Sequence, residues 1–350
     1  MNPPNSPHPE LLCLGHAMVD LYLRSSREVW QHLRELLSDL LPFDGAGAEK
    51  GFRTPLHLQQ AQMEAILRTL GQEVRDRHVQ AVAYAGGSAL NAARMAARSG
   101  VHAAFAGTIG NDGAGLLLQQ TLANSGVKAQ LSIPHGAHSR TGVFLILEDT
   151  AGIPEAILVA PMAAREILTL DPAALPWPQG GIVHLEGLLA DAPDFWQGVL
   201  ADSRRHCCSV SIDIGAAGIA RRHASTLRAA IAQHASFLFA TREELAALDE
   251  DGWLDRLRQR EACCIIKDGA QGVTCLAGSR SFSLPAPDVA VVSTVGAGDA
   301  FAGAFLAAHL QGSDIPTCLD AGTRAAALVL REEGNHPGDR PSLPDASFFS

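Results

Sequence analysis

The sequence predicts an α/β fold with a mostly parallel central sheet and helices on both of its faces. Short apolar segments of strand length alternate with helical segments along most of the chain, and this alternation implies parallel strands joined by right-handed helical crossovers. One region, at about residues 129–163, interrupts the pattern with two β-rich segments around the turn Thr150–Gly152. It predicts an antiparallel hairpin apart from the main sheet. No repeat or flexible linker divides the chain, which favours one domain with a small subdomain.

The N-terminal part of the chain combines a buried strand with two amphipathic helices. Leu11–Gly15 predicts a short strand that ends in a turn. Ser25–Glu28 has the spacing of a capping box, and the apolar face that follows it continues to Pro42. Thr54-Pro55 predicts the start of a second helix. We therefore expect a helical insertion at about residues 25–75.

Strands and helices alternate after this insertion. The predicted strands are Val79–Tyr84, Val101–Ala106, Gly142–Leu147, Glu155–Val159, Gly181–Leu185, Ser209–Ile214, Phe237–Phe239, Cys263–Ile266 and a last strand that ends near Val292. Two helices, Ser88–Ser99 and Gly113–Ser125, are each followed by a glycine that ends the helix.

The composition excludes several classes of protein. The chain has 350 residues, and 27 Lys and Arg stand against 37 Asp and Glu, a formal charge of −10. Nucleic-acid binders carry a basic patch, so this balance argues against a nucleic-acid partner. No segment has the ~18–20 uninterrupted apolar residues of a membrane span, so no membrane partner is expected. With 47% hydrophobic and 18% charged residues, the chain can form a sizeable core.

The cysteines and histidines indicate no structural metal or disulfide. Seven cysteines occur, an odd number, and none has the spacing of a zinc site. The 14 histidines show no HExxH spacing. These features are typical of a reduced, cytoplasmic protein.

The segment Gly296-Ala297-Gly298-Asp299 is the sharpest motif in the sequence. Small residues here let backbone N–H groups approach a ligand at the positive end of the following helix. Asp299, in the first helical turn, can accept a proton from a hydroxyl while these donors stabilise a phosphoryl group. The alternative is a glycine turn before a packed helix, with Asp299 favouring only the helix N-terminus.

Two further motifs could bind a polar ligand. Gly86-Gly87 precedes a helix that begins at Ser88, and Asn91 projects from its first turn with both a donor and an acceptor. Ser88 as an ordinary helix cap is the alternative. Asp20 follows the first strand, on the side of an α/β sheet where ligands bind, although an aspartate there is also a common turn former.

In this order, the three motifs resemble the ribokinase-like family of carbohydrate kinases, the PfkB family. Gly86-Gly87 through Asn91 resembles its N-terminal signature, and Gly296–Asp299 matches its C-terminal Gly-Ala-Gly-Asp motif. The resemblance implies a three-layer α/β/α sandwich with a small β-rich lid. Residues 11–345 would form one catalytic domain, with 1–10 as a loose N-terminal tail. The insertion gives the chain an adenosine-kinase-like length.

The resemblance also implies roles for individual residues. Asp299 would be the general base, and the backbone of Gly296, Ala297 and Gly298 would stabilise charge on the transferred phosphoryl group. Other residues complete the expected site: Asp20, Gly86, Gly87, Asn91 and Glu186 for the acceptor, Lys267, Gly269, Gly272 and Gly298 for ATP, and Glu243 for Mg²⁺ through water.

The sequence departs from the family pattern at three positions. Ala240 stands where the family's Asn-x-x-Glu motif has its asparagine, with Glu243 as its glutamate. Ser293 replaces an aspartate that helps to hold a monovalent cation in potassium-activated relatives, so cation dependence is left open. His16 replaces a commoner asparagine. None of these changes removes Asp299 or the glycine turn beside it.

The expected function is ATP-dependent phosphorylation of a primary hydroxyl of a sugar, by a phosphotransferase with an alcohol group as acceptor. An adenosine or other nucleoside kinase is the first alternative, with Phe144 and Trp30 as candidates to stack on a purine. A non-catalytic relative that binds nucleotide or sugar is the second. A P-loop kinase and a dinucleotide-dependent oxidoreductase are excluded, because neither glycine signature is present. The partner is a small molecule, and a homodimer is left open.

Overall fold

The structure, a computed structural model, describes residues 8–37, 56–76, 79–134, 139–152, 154–249, 252–259, 262–344 and 346–349. Its strands are β1 (Leu11–Leu14), β2 (Met18–Ser25), β3 (Leu56–His57), β4 (Gln80–Gly86), β5 (Ala103–Thr108), β6 (Lys128–Ser132), β7 (Gly142–Asp149), β8 (Pro154–Ala160), β9 (Ile182–Glu186), β10 (Ser209–Asp213), β11 (Ala235–Thr241), β12 (Cys263–Lys267), β13 (Val273–Ala277) and β14 (Arg280–Leu284).

The α-helices are α1 (Arg27–Leu36), α2 (Gln60–Arg75), α3 (Ser88–Arg98), α4 (Gly113–Asn124), α5 (Pro193–Arg205), α6 (Ala217–Arg222), α7 (Ala224–His234), α8 (Arg242–Leu248), α9 (Trp253–Arg258), α10 (Ala297–Leu310), α11 (Ile315–Leu330) and α12 (Ala346–Phe349). Short 3₁₀ helices cover Met162–Thr169, Pro172–Ala174, Gly187–Asp191 and Gly269–Gln271. None of the described helices is long and apolar enough to cross a membrane.

Nine of the described strands form the larger sheet, in the order β14-β13-β12-β11-β10-β9-β1-β5-β6. All neighbours from β12 to β6 pair in parallel, while β13 and β14 add an antiparallel edge. Parallel strands need crossover connections, which the intervening helices supply. The carboxyl ends of β1, β9, β10 and β12 therefore meet at one edge of the sheet.

The larger sheet is buried on both faces, as β1 shows residue by residue. Leu11 and Cys13 belong to one hydrophobic cluster, which includes residues of α3 and α10. Leu12 and Leu14 belong to another, which includes residues of α5 and α7. Successive side chains of a strand point to opposite faces, so helices lie on both sides of this sheet. The predicted α/β/α sandwich is confirmed.

The smaller sheet has the strand order β3-β8-β7-β2-β4. Its β7–β8 hairpin is antiparallel, as predicted, and β2 pairs with both β7 and β4. Leu21, Leu145 and Leu158 of one face share a hydrophobic cluster with Trp30 of α1 and Met63 of α2. The two insertion helices therefore cover this face of the lid.

Several boundaries predicted from the sequence were wrong. The strand predicted over Val79–Tyr84 belongs to the small sheet as β4, and β2 was not predicted as a strand. Lys128–Ser132 pairs with β5 in the large sheet, so the hairpin does not begin at 129. The segment before Val292 is irregular instead of a strand.

The helical insertion also differs in detail from the prediction. Ser26, not Ser25, caps α1, and its hydroxyl accepts a hydrogen bond from the Val29 amide. α2 begins at Gln60, several residues after the predicted start. Most of the predicted tail, Pro42 and the Thr54-Pro55 pair lie outside the described residues.

Candidate active site

The glycine turn before α10 places Asp299 in the first turn of that helix. Gly296 is the N-cap residue and has φ +79°, a conformation that favours glycine. A Cβ at this position would lie 2.5 Å from the backbone oxygen of Asn335, so two constraints select glycine here. The first N–H groups of α10 have no partner within the helix and can bind an anion.

Asp299 is half-buried and contacts the start of α3. The Ser88 hydroxyl donates a 2.7 Å hydrogen bond to Asp299 Oδ1, and Asn91 Nδ2 donates a 3.1 Å hydrogen bond to Oδ2. Two of the sequence motifs therefore meet through their polar side chains, although Ser88 and Asp299 are 211 residues apart in the sequence. Each Asp299 oxygen retains a lone pair, because an ionised carboxylate has about four acceptor positions.

Gly86 and Gly87 are required by the close approach of other chain segments. A Cβ at Gly86 would lie 2.5 Å from Asp20 Oδ1, and one at Gly87 would lie 2.2 Å from the His16 carbonyl oxygen. Gly87 also has φ +107°. The two glycines thus allow β2, with Asp20, to lie directly beside the start of α3.

Asp20 is buried and is the third of the eight residues of β2. Its pKa is raised to about 7: burial is the largest cause, the nearby charges of Asp299 and Asp339 act in the same direction, and a hydrogen bond from Asn335 acts against them. That bond runs 2.5 Å from Asn335 Nδ2 to Asp20 Oδ2. At neutral pH the Asp20 side chain is therefore divided between its protonated and ionised forms.

Glu186, at the end of β9, is buried against the turn that follows β1. The His16 amide donates a 2.7 Å hydrogen bond to Glu186 Oε1, and the His16 ring nitrogen Nδ1 contacts the same oxygen. A Cβ at Gly15 would meet both the Glu186 carboxylate and the Ala89 side chain. Glu186 and the start of α3 at Ala89 therefore both lie against Gly15.

Lys267, at the end of β12, lies beside the glycine turn of α10. Its Nζ is 3.3 Å from the position that a Gly298 Cβ would take, and it donates a 2.7 Å hydrogen bond to Asp213 Oδ2. Burial lowers the pKa of Lys267, but Asp213, Glu244 and Asp299 together outweigh it, so the pKa is raised overall. A permanent positive charge therefore adjoins the amide groups of the turn.

The other predicted nucleotide residues follow Lys267 in a short 3₁₀ turn. Gly269 and Gly272 have φ +54° and +92°, and a Cβ at Gly272 would lie 2.1 Å from the Leu284 oxygen of β14. The turn is anchored by Arg242, which binds the Asp268 carboxylate through two nitrogens. The role of Gly269 and Gly272 in binding ATP stays a prediction.

The glutamate that faces the site is Glu244, one residue beyond the predicted Glu243. Glu243 is exposed on α8, whereas Glu244 is buried and forms a capping box with Thr241. Burial raises the pKa of Glu244, as does Asp213, and Lys267 lowers it. With Glu244 as the glutamate of the Asn-x-x-Glu motif, Thr241 occupies the asparagine position and Ala240 does not.

Three polar residues at the site had no role in the sequence-based prediction. Asn335 binds Asp20, and Ser88, considered only as a helix cap, binds Asp299. His184 on β9 is buried, and its Nδ1 lies 2.9 Å from Ser211 Oγ. Burial lowers its pKa to about 4, although Asp299 acts in the opposite direction. The signal for His184 was its position two residues before Glu186, on the same face of β9.

No group of three or more His, Cys, Asp or Glu side chains in the described part of the chain could enclose a metal ion. Mg²⁺ typically keeps several waters and binds one or two carboxylates together with substrate phosphates. Asp213 and Glu244, both buried beside Lys267, are the carboxylates here that could bind the waters of such an ion. The arrangement thus offers a carboxylate, amide donors, a lysine and two acidic groups around the start of α10.

Comparison with known proteins agrees with this geometry. Two curated relatives are an ATP-dependent ribose-1-phosphate kinase from Halopiger xanaduensis (29% identity, 71% of this chain and 81% of that protein) and a ribokinase from Bacillus subtilis (28%, 72% and 83%). An adenosine kinase structure from Sinorhizobium meliloti has a TM-score of 0.74 at 21% identity and covers 97% of both chains.

The profile described as "pfkB family carbohydrate kinase" matches residues 58–341, most of the chain, including the Gly86–Asn91 and Gly296–Asp299 motifs. Members of this family and the relatives above are phosphotransferases that act on hydroxyl groups. The chain therefore belongs to the pfkB family of carbohydrate kinases and is a phosphotransferase with an alcohol group as acceptor.

Proposed function

We propose that the protein transfers the γ-phosphoryl group of ATP to a primary hydroxyl of a sugar, with Asp299 as general base. The observation that carries this proposal is the position of Asp299. Its carboxylate is held by Ser88 and Asn91, is half-buried, and lies at the start of α10 within the electrostatic range of Lys267. The relatives named for ribose-1-phosphate and ribose support a sugar acceptor.

The acceptor hydroxyl would give its proton to an Asp299 oxygen while its own oxygen attacks the γ-phosphorus. The bond from that phosphorus to the bridging oxygen of ADP then breaks. The amides of Gly296, Ala297 and Gly298 and the charge of Lys267 would stabilise the negative charge on the transferred group. Gly269 and Gly272 would lie along the nucleotide. Positioning and electrostatics supply most of the catalysis in such a reaction.

The other acceptor hydroxyls would bind Asp20, Glu186, Asn91 and the backbone at Gly86 and Gly87. Asn91 Oδ1 is buried and has no hydrogen-bond partner among the described residues. An unpaired buried acceptor is costly, so a hydroxyl at this place would be bound favourably. Mg²⁺ that accompanies ATP would be held through water by Asp213 and Glu244 and would neutralise phosphate charge.

Replacing Asp299 tests this proposal. With ATP, Mg²⁺ and a panel of sugars, Asp299→Asn should lower kcat by about 10²–10⁴-fold, the usual contribution of a general base. Ser88→Ala is the matched control, because it removes a partner of the carboxylate but leaves the base, and it should cost about tenfold or less. Both variants should keep the wild-type melting temperature. Full activity of Asp299→Asn would refute its role.

A nucleoside acceptor is the second candidate, and Phe144 supports it. Phe144 is half-buried on β7, directly opposite Asp20 on β2, so it lies beside the proposed acceptor site. Trp30 is buried, and its indole donates to the Glu148 backbone oxygen on the covered face of the lid, so it is not available to stack on a purine. A thermal-shift panel of sugars against nucleosides separates the two candidates.

The non-catalytic alternative has its own outcome in these experiments. Stabilisation by a sugar or nucleotide, without any consumption of ATP, would identify the protein as a binding relative. A cytoplasmic location stays a prediction of the sequence, and a homodimer and dependence on a monovalent cation stay open.

A further inference from the structure

Four basic side chains gather around Asp191 near the edge of the small sheet. Arg165 Nη2 is 3.9 Å from Asp191 Oδ2, Arg222 Nη1 is 4.0 Å from Oδ1, and His223 Nε2 is 2.6 Å from Oδ1. His57 on β3 is within the electrostatic range of Arg222, Arg165 and Asp191. We call Arg165, Arg222, His57 and His223 the basic cluster.

The single carboxylate does not satisfy the two arginines. Both distances from Asp191 exceed the length of a hydrogen bond, about 2.7–3.2 Å. The guanidinium groups are always protonated and carry five donors each. The Arg165 and Arg222 side chains are 58% and 54% exposed. The cluster therefore keeps an excess of positive charge and free donor positions that face solvent.

The pairing of the small sheet connects this cluster to Asp20. Asp20 lies opposite Phe144, Phe144 opposite Val159, and Val159 opposite His57. Side chains that are directly opposite in neighbouring strands point to the same face. With strands ~4.8 Å apart, His57 lies ~14 Å from Asp20 along this row. Because α1 and α2 cover the other face, the row is on the side of the proposed acceptor site.

The segment that leaves the large sheet at the end of β9 also reaches the basic cluster. The 3₁₀ helix Gly187–Asp191 follows Glu186 directly, and five residues at ~2 Å each carry the chain ~10 Å away from it. Between Asp20 and the cluster, the row is apolar, because Phe144 and Val159 pack with Met18 and Ala164. The row of side chains thus has a polar end at Asp20, an apolar middle and a basic far end at the cluster.

We propose that the acceptor is a sugar derivative with an anionic group, a phosphate or a carboxylate, at the end opposite the phosphorylated hydroxyl, and that the basic cluster binds this group. The inference rests on the proposed function, because the cluster lies on the same face of the small sheet as Asp20. Arginine forks match phosphate and carboxylate oxygens through two parallel hydrogen bonds. The ~14 Å from Asp20 to His57 along the row is longer than a single sugar ring, so an acceptor that reaches from one end to the other needs the added group.

The test compares matched acceptors that all keep a free primary hydroxyl: ribose with ribose 1-phosphate, and glucose with glucose 1-phosphate and gluconate. At least one anionic probe should exceed its neutral sugar in kcat/KM by about tenfold or more, mainly through KM. The phosphate and carboxylate arms identify which anion the cluster prefers. Each preferred probe should also raise the melting temperature without ATP.

Arg222→Gln and Arg165→Gln should each lower the ratio of anionic to neutral kcat/KM by about tenfold. Arg221→Gln is the matched control, since Arg221 is an exposed neighbour on α6 outside the cluster, and its ratio should be unchanged. All three should keep the wild-type melting temperature.

Three results would overturn the inference: equal or better turnover of the neutral sugars, no thermal stabilisation by any anionic probe, or an equal loss for both acceptor types in the arginine variants. The last would give the cluster only a structural role at the lid edge. Failure of the proposed function is distinct, because it would appear as full activity in Asp299→Asn whichever acceptor is used.

Discussion

Replacing Asp20 by asparagine should stabilise the protein at neutral pH while it weakens acceptor binding. Asp20 is 5% exposed, and burial raises its pKa from 3.8 to about 7. A raised carboxyl pKa means that ionised Asp20 is unfavourable in the folded state. Asparagine has nearly the same shape, carries no charge, and can still accept the hydrogen bond from Asn335.

The expected magnitude follows from the size of the pKa change. Three pH units at ~1.4 kcal/mol each amount to ~4 kcal/mol, an upper bound for one buried carboxyl. Below about pH 4 both the folded and the unfolded chain hold the proton, so Asp20 contributes nothing. As the pH rises, the unfolded chain loses the proton first, and the free energy of unfolding falls until about pH 7, where the loss levels off.

Urea denaturation of the wild type and Asp20→Asn, from about pH 4 to about pH 8, measures this difference. The gain in the free energy of unfolding should be small at the acid end and reach a few kcal/mol at the neutral end. Asp255→Asn, an exposed carboxylate on α9, should change it by less than ~0.5 kcal/mol. A difference that is constant with pH, or a less stable variant at neutral pH, would refute the reasoning.

Two further predictions concern residues around the phosphoryl site. Lys267→Gln should lower kcat by about 10²-fold or more, since it removes a charge beside the anion-binding turn. It should also lower the free energy of unfolding by ~3–5 kcal/mol, because Asp213 stays buried without its ion-pair partner. Adding Asp213→Asn should recover stability but not kcat, and recovery of kcat would contradict the role of Lys267. Gly87→Ala should reduce the free energy of unfolding by more than ~2 kcal/mol, because the new Cβ meets backbone as well as an unfavourable φ. Gly126→Ala, which has positive φ but open space, should cost only ~1 kcal/mol, and similar losses in the two variants would show that the contact is unimportant.

The sequence predicted the elements that local patterns define. The four residues of β1 form an apolar run bounded by a turn, and the glycine-led starts of α3 and α10 are marked by their own residues. The β7–β8 hairpin followed from two β-rich segments around a short turn. In each case the information lies within about ten neighbouring residues, where periodicity and turn chemistry are reliable.

Pairing between distant segments could not be predicted in this way. β4 has the apolar run of a strand, but nothing in it says which sheet it joins, and it was assigned to the wrong one. Asn335 binds Asp20 across 315 residues, so no local pattern links the two. β2 was not predicted, because the strand Leu11–Gly15 was expected to end in a turn and to be followed directly by the helical insertion.

The difference in burial between Glu243 and Glu244 has a simpler geometric cause. One residue along an α-helix turns the side chain by ~100°. A motif that is aligned one position too early therefore selects a neighbour that points to solvent. The capping box of Thr241 and Glu244 is itself visible in the sequence, and it would have favoured the inward-facing glutamate.

Asn335 explains why a destabilising carboxylate can be kept in one place. Its side chain donates to Asp20 on β2 and to the Ala85 oxygen on β4, and its backbone oxygen lies against Gly296. The same buried residue thus contacts two lid strands and the turn that begins α10. The proposed acceptor end and phosphoryl end of the site therefore share one buried contact residue, which holds Asp20 beside the turn that begins α10. Buried charge that lowers stability is commonly retained where function requires it, and here the fixed position of Asp20 supplies the reason.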